Sequence, residues 1–257
     1  MNRQPPKNVV KTIVWGNSSG IMATIELALQ GVKSRIDRAA RTCGRDPREI
    51  LLVAVSKTQP AAAISAAYAA GQRDFGENYV QEALDKMASL ADLAGPGASS
   101  GARIVWHYIG PIQSNKTRDI AESFDWVHSV DRLKIATRLS AQRPPARGPL
   151  AICLQVNTSG EASKSGCAPA EVPALARAIA ALPNIQLRGL MTVPEPTDDI
   201  ARQRSRFDSL AQLAAQLRAD GLALDTLSMG MTADLEAAVA AGSTMVRVGT
   251  AIFGTRA

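Results

Sequence analysis

The chain has 257 residues, 46% hydrophobic and 20% charged, a balance that excludes a disordered polymer and leaves enough apolar side chains for a full core. Lys and Arg total 29 against 23 Asp and Glu, a formal charge of +6, yet aromatics make up only 4% and do not interleave with basic residues, so the stacking surface of a single-strand nucleic-acid binder is missing. No apolar run reaches the roughly 18 residues needed to span a bilayer. Three scattered cysteines (Cys43, Cys153 and Cys167) and two histidines (His107 and His128) argue against a zinc site or disulfide framework and suit a reducing cytoplasm.

Residues 1–21 differ from the rest, with Arg3, Lys7 and Lys11, no acid, two adjacent prolines and the run Gly16-Asn17-Ser18-Ser19-Gly20. They read as a disordered tail or an extension from an upstream start codon, Met22 being an equally good beginning. The body, residues 22–257, is expected to form one domain. From Thr24, Ile25, Leu27, Ala28, Val32, Ile36 and Ala40 recur at helical spacing, predicting a helix to about Thr42 with Gly44 at its end.

One pattern then repeats: an apolar run, a polar or Gly/Pro turn, and an alanine-rich helical segment. Strands are predicted at Leu51–Ser56, Asp74–Glu77, Ile104–Ile109, Trp126–Ser129, Leu150–Val156, Gln186–Met191, Leu224–Met229 and Met245–Val248. Helices are predicted near 60–71, 78–92, 114–123, 131–142, 169–181, 198–220 and 232–241, and Leu93–Gly101 reads as a flexible insertion. This alternation is that of an α/β protein with a (β/α)8 TIM barrel. An open doubly wound sheet has the same periodicity, but polar residues at several strand ends and the lack of an early G-x-G-x-x-G favour the barrel. No second domain is expected after the eighth strand.

In such a barrel the functional residues stand where the strands stop. The first run ends at Lys57, whose amine at a partly dry mouth can form a Schiff base with an aldehyde, although a lysine after a strand can equally be a solvated loop residue. The seventh run ends in Ser228-Met229-Gly230-Met231-Thr232 and the eighth in Arg247-Val248-Gly249-Thr250, the two loops that most often bind phosphate in this architecture. Arg247 alternates with Val246 and Val248 and so points into the barrel, where an internal ion pair or a ligand's aromatic ring nitrogen would satisfy it. His107 and His128 read as packed or mouth-lining side chains, and Lys116 and Lys164 as solvated charges.

The segments LLVAVSKTQP (51–60), DFGENYVQEALDK (74–86), WHYIGPIQSNK (106–116), VNTSGEASKSG (156–166), LRGLMTVPEP (187–196) and LSMGMTADLEAAVAAGSTMVRVGTAIFGTR (227–256) together resemble the YggS/PROSC family of pyridoxal 5'-phosphate (PLP) homeostasis proteins. The resemblance implies the barrel of the alanine racemase N-terminal domain without that enzyme's second β-domain. It implies PLP held as a Schiff base on Lys57, with Ser228, Gly249, Thr250 and backbone groups near Met229 and Gly230 on the phosphate. Arg247 would face the pyridine nitrogen and Asn78 would lie beside the cofactor.

A racemase needs acid/base groups on both faces of PLP. The tyrosines, Tyr68, Tyr79 and Tyr108, all fall early in the chain. The expected role is therefore a cytoplasmic PLP carrier without catalytic turnover, acting as a monomer, with PLP-dependent apoenzymes as partners and no metal, nucleic acid or membrane. A low-activity single-domain PLP racemase is the enzyme alternative. A Schiff-base aldolase or sugar-phosphate isomerase, with the Gly249 loop on the substrate's own phosphate, is a third.

Overall fold

Short runs of Leu, Val and Ile bounded by turns form strands that pair side by side, and here they close into a ring. The computed structural model describes residues 18–94, 103–161 and 165–254. The strands are β1 (Leu51–Val55), β2 (Asp74–Glu77), β3 (Val105–Tyr108), β4 (Trp126–Val130), β5 (Leu150–Gln155), β6 (Ile185–Met191), β7 (Thr226–Ser228) and β8 (Met245–Val248). All neighbours are parallel and in sequence order, and β8 pairs back to β1 with Leu51 opposite Met245 and Val53 opposite Arg247. Closure settles the choice between barrel and open sheet.

The helices are α1 (Ser18–Thr42), α2 (Ala61–Ala69), α3 (Val80–Ser89), α4 (Ala91–Ala94), α5 (Thr117–Ser123), α6 (Leu133–Gln142), α7 (Val172–Ala180), α8 (Ile200–Ala219), α9 (Leu235–Ala240) and α10 (Thr250–Phe253). The first helix starts at Ser18, four residues inside the segment expected to be a disordered extension; the remainder of that segment, 1–17, lies outside the described residues. The predicted helix over 78–92 divides at Leu90, and 114–123 and 169–181 each open with a 3-10 turn. The helix α10 was not predicted. Of the expected insertion, Leu93 and Ala94 belong to α4 and the rest lies outside the described residues, as does Lys164.

Alternation along the strands separates two interiors. Leu52, Ala54, Phe75, Trp106, Ile152, Leu154, Val246 and Val248 are buried in the layer shared with the helices. On α1, Ile25, Leu29, Val32, Ile36 and Ala40 form the apolar stripe that the helical spacing predicted, all buried in the same layer. Val53, Cys153, Met191 and Met245 are buried outside that layer, on the strand faces of Arg247 and the other polar residues that line the barrel.

Candidate functional site

The C-terminal ends of the strands surround a cavity of about 570 Å³, within the roughly 300–1,000 Å³ of ordinary small-molecule sites. Its lining comes from seven of the eight strand ends: Val55 at the end of β1 and Lys57 after it, Asn78 after β2, Ile109 and Pro111 after β3, Gln155 at the end of β5 and Ser165 after it, and Val193 after β6. Met231, Thr232 and Ala233 follow β7, and Arg247, Gly249 and Thr250 belong to β8 and its loop. Lys57, Asn78, Arg247, Gly249 and Thr250 are thus brought together as the sequence predicted. Among the described lining residues Lys57 and Arg247 are the charged groups and no carboxylate joins them, so the cavity is built for an anion.

Arg247 is 3% exposed, and none of the ion pairs among the described residues includes it. Its guanidinium donates instead to Ser228 Oγ (2.6 Å) and to the Thr192 carbonyl (2.9 Å). Burial pulls it down to about 10, which leaves it protonated at neutral pH. Ser228 Oγ continues to His128 Nδ1 (2.8 Å), His128 Nε2 to His107 Nδ1 (2.9 Å), and His107 Nε2 to Asp74 Oδ1 (2.9 Å). With both imidazoles neutral, an arginine that only donates and a carboxylate that only accepts leave the chain one consistent direction, each hydrogen pointing towards Asp74. Ser228 donates to His128, His128 to His107 and His107 to Asp74. Burial, with His107 and Arg247 nearby, drives the His128 imidazole well below its usual value, in keeping with this neutral role.

The structure does not bring the whole predicted phosphate set to the cavity. Ser228 is fully buried below the cavity and occupied by Arg247 and His128; Met229 is packed in the helix-side core. At Gly230 the chain turns with φ +97°, and a Cβ there would meet Ala238 Cβ at 2.5 Å, so only glycine fits. The turn shifts the exposed part of the loop onward, and Met231, Thr232 and Ala233 line the cavity instead of Ser228, Met229 and Gly230. Asp234 Oδ1 fixes this turn by accepting from the Met231 amide (2.6 Å).

Two further details shape the cavity wall. Asn78 Oδ1 is buried without a hydrogen-bond partner, an uncompensated acceptor at the cavity wall. A Cβ on Gly249 would lie 3.1 Å from the Val55 carbonyl oxygen, so the glycine lets the β8 loop approach the strand that carries Lys57. In that loop the first amide to pair within the turn is Ile252, with Gly249 O (2.9 Å), which places Gly249 and Thr250 at its open end. Tyr108 turns its hydroxyl to the Pro111 carbonyl (3.0 Å), and burial pushes it up to about 12.

Residues 27–257 match the alanine racemase N-terminal domain family. The pyridoxal phosphate homeostasis protein of Pseudomonas aeruginosa is 60% identical over 235 residues, covering 91% of this chain and 97% of the relative. That of Escherichia coli K12 is 53% identical over 228 residues, covering 89% and 95%. PipY of Synechococcus elongatus, solved with PLP bound, superposes with a TM-score of 0.76 at 39% identity, covering 90% of this chain and all (100%) of that one. Alanine racemase of Corynebacterium glutamicum, at 16% identity and a TM-score of 0.65, shares the fold; the match covers 93% of this chain and 62% of the enzyme. The chain therefore belongs to the family of pyridoxal phosphate homeostasis proteins, built on the barrel of the alanine racemase N-terminal domain.

Proposed function

We propose that the chain binds pyridoxal 5'-phosphate at the barrel mouth and serves PLP homeostasis, buffering the cofactor and supplying it to PLP-dependent apoenzymes as a cytoplasmic monomer. The observation that carries this reading is a single cavity uniting a strand-end lysine, a buried arginine that belongs to no ion pair among the described residues, and an orphaned amide oxygen. When bound, the cofactor supplies a reactive aldehyde and an electron-accepting ring. Lys57 is the residue that holds it covalently. Thr232, Gly249 and Thr250 hold the phosphate, Asn78 lies along the ring, and Arg247 serves the ring nitrogen as a permanent donor, which favours an unprotonated ring and weakens the electron sink.

A carrier role is supported by the names of the relatives and by the lining. Among the described lining residues one amine can move a proton, and no Tyr, His, Cys, Asp or Glu stands opposite it. The large exposed hydrophobics Leu27, Leu51, Leu133 and Ile200 are spread over α1, β1, α6 and α8, which supports the monomer. No described helix is long and apolar enough to cross a membrane.

The test is the absorbance of the purified protein with and without borohydride, followed by peptide mapping of the reduced adduct. The adduct is expected on Lys57, and Lys57→Ala is expected to fold without it. A reducible chromophore persisting in that variant refutes the assignment. Exchange of amino-acid α-protons at ordinary enzyme rates, roughly 1–1000 per second, would refute the carrier role.

A further inference from the structure

We propose that Glu82 and Lys86 of α3, together with Glu77 of β2, form a clamp that positions Lys57 by gripping the peptide groups on both sides of it. This rests on the reading of Lys57 as the residue that holds PLP.

Lys57 and Thr58 are the central residues of a four-residue turn closed by the Gln59 amide on the Ser56 carbonyl (3.0 Å). Thr58 has φ +63°, a left-handed conformation that a β-branched residue avoids unless its surroundings impose it. The clamp supplies that constraint. The Thr58 amide donates to Glu82 Oε1 (2.5 Å), fixing the peptide after Lys57. The Ser56 carbonyl, which belongs to the peptide before Lys57, accepts from Lys86 Nζ (2.8 Å).

The same ammonium also donates to Glu77 Oε1 (2.8 Å) and Glu82 Oε1 (2.6 Å), so its three hydrogens meet three acceptors. Ser56 Oγ adds a donation to Glu77 Oε1 (2.7 Å). Glu77 is fully buried and Lys86 nearly so, whereas Glu82 sits at the rim with its side chain 29% exposed. Burial holds the Glu77 carboxyl above its ordinary range against the pull of Lys86, the mark of a cluster kept at some cost to stability. An ion pair that only docked α3 on the barrel would not need to converge on the two peptides that flank one lysine. The cluster lies outside the cavity lining, so these are positioning residues.

The test is a two-by-two set: the unaltered chain, Glu82→Ala, Thr58→Gly and the double variant. PLP uptake by each apoprotein is followed by absorbance, and the folded state by circular dichroism. Without Glu82 the Thr58 turn relaxes to right-handed or extended conformers. If about one molecule in ten keeps the competent turn, apparent affinity falls about tenfold, or about 1.4 kcal/mol. Glycine adopts positive φ without strain, so in the Thr58→Gly background the same loss is expected to shrink below about threefold. Glu82→Gln, which retains an acceptor oxygen, is expected to lose less than Glu82→Ala and serves if the alanine variant does not fold. Equal losses in both backgrounds, no loss in either, or a glutamine variant no better than alanine would overturn the clamp.

A cofactor-free arm separates the two readings. Hydrogen exchange at the Thr58 amide is expected to quicken about tenfold or more in Glu82→Ala, and unchanged exchange overturns the clamp. Failure of the unaltered chain to take up PLP, with the exchange result as expected, sinks the cofactor reading and leaves the clamp geometry standing.

Discussion

Replacing Ser228 by alanine tests the buried relay directly and distinguishes it from a phosphate contact. Its Oγ is fully buried, accepts from Arg247 at 2.6 Å and donates to His128 at 2.8 Å. A hydrogen bond from a charged donor contributes about 1.5–3 kcal/mol and a neutral one about 0.5–1.5, and both remaining partners are buried where water does not replace the hydroxyl, so Ser228→Ala is expected to cost about 2–4 kcal/mol. For a domain of this size each kcal/mol moves Tm by about 2–4 °C, which gives a fall of about 4–16 °C. The assay is thermal melting of the apoprotein by calorimetry. A phosphate-binding serine would lower PLP affinity and leave apo stability intact; a Tm within about 2 °C of the unaltered chain would refute the relay.

Three further outcomes are expected. His128 is held neutral, with its folded value depressed below the unfolded value near 6.5, so its contribution to stability is complete above pH 6.5 and is lost as pH falls below it, by up to about 1.4 kcal/mol per pH unit. Glu77, held above its usual range, gives a slope of the opposite sign, so denaturant midpoints between pH 7 and 5 are compared with those of His128→Gln, where the acid-side loss should flatten; an equally steep loss would refute the assignment. Asn78→Ala removes an orphaned acceptor and is expected to weaken PLP binding several-fold while the apo Tm holds; a Tm drop of more than about 5 °C would show a structural hydrogen bond there. Arg247→Ala is expected to lose PLP retention by at least about tenfold in equilibrium dialysis, and unchanged cofactor content would remove Arg247 from the site.

The strands were legible because each is a short apolar run punctuated by turns, and most observed ends fall within a residue of those predicted. That Lys57, Asn78 and Arg247 share one cavity was legible for a related reason: a barrel opens its cavity where the strands stop, and period two turned Arg247 inward. The burial of Ser228 below the cavity was not legible, because β7 is shorter than its apolar run suggests and the turn at Gly230 shifts the lining residues to Met231–Ala233. Nothing local marks this, since the clash that demands glycine comes from Ala238 on α9. The relay was hidden for a deeper reason. Asp74, His107, His128 and Ser228 lie on four different strands, and only the packed barrel brings their inward side chains into line. The grip on Thr58 leaves no sequence signal either, because a threonine with positive φ has no trace in composition.

The pairing of β8 with β1 has a consequence for how the protein comes into being. Val53 and Arg247, 194 positions apart in the chain, are register partners, and the same seam joins Lys57 to Gly249 and Thr250. During synthesis Lys57 leaves the ribosome with the first strand, about 190 residues before Arg247, Gly249 and Thr250 follow it. The proposed cofactor site is thereby tied to ring closure, so a chain lacking that seam has Lys57 without Arg247, Gly249 and Thr250 beside it.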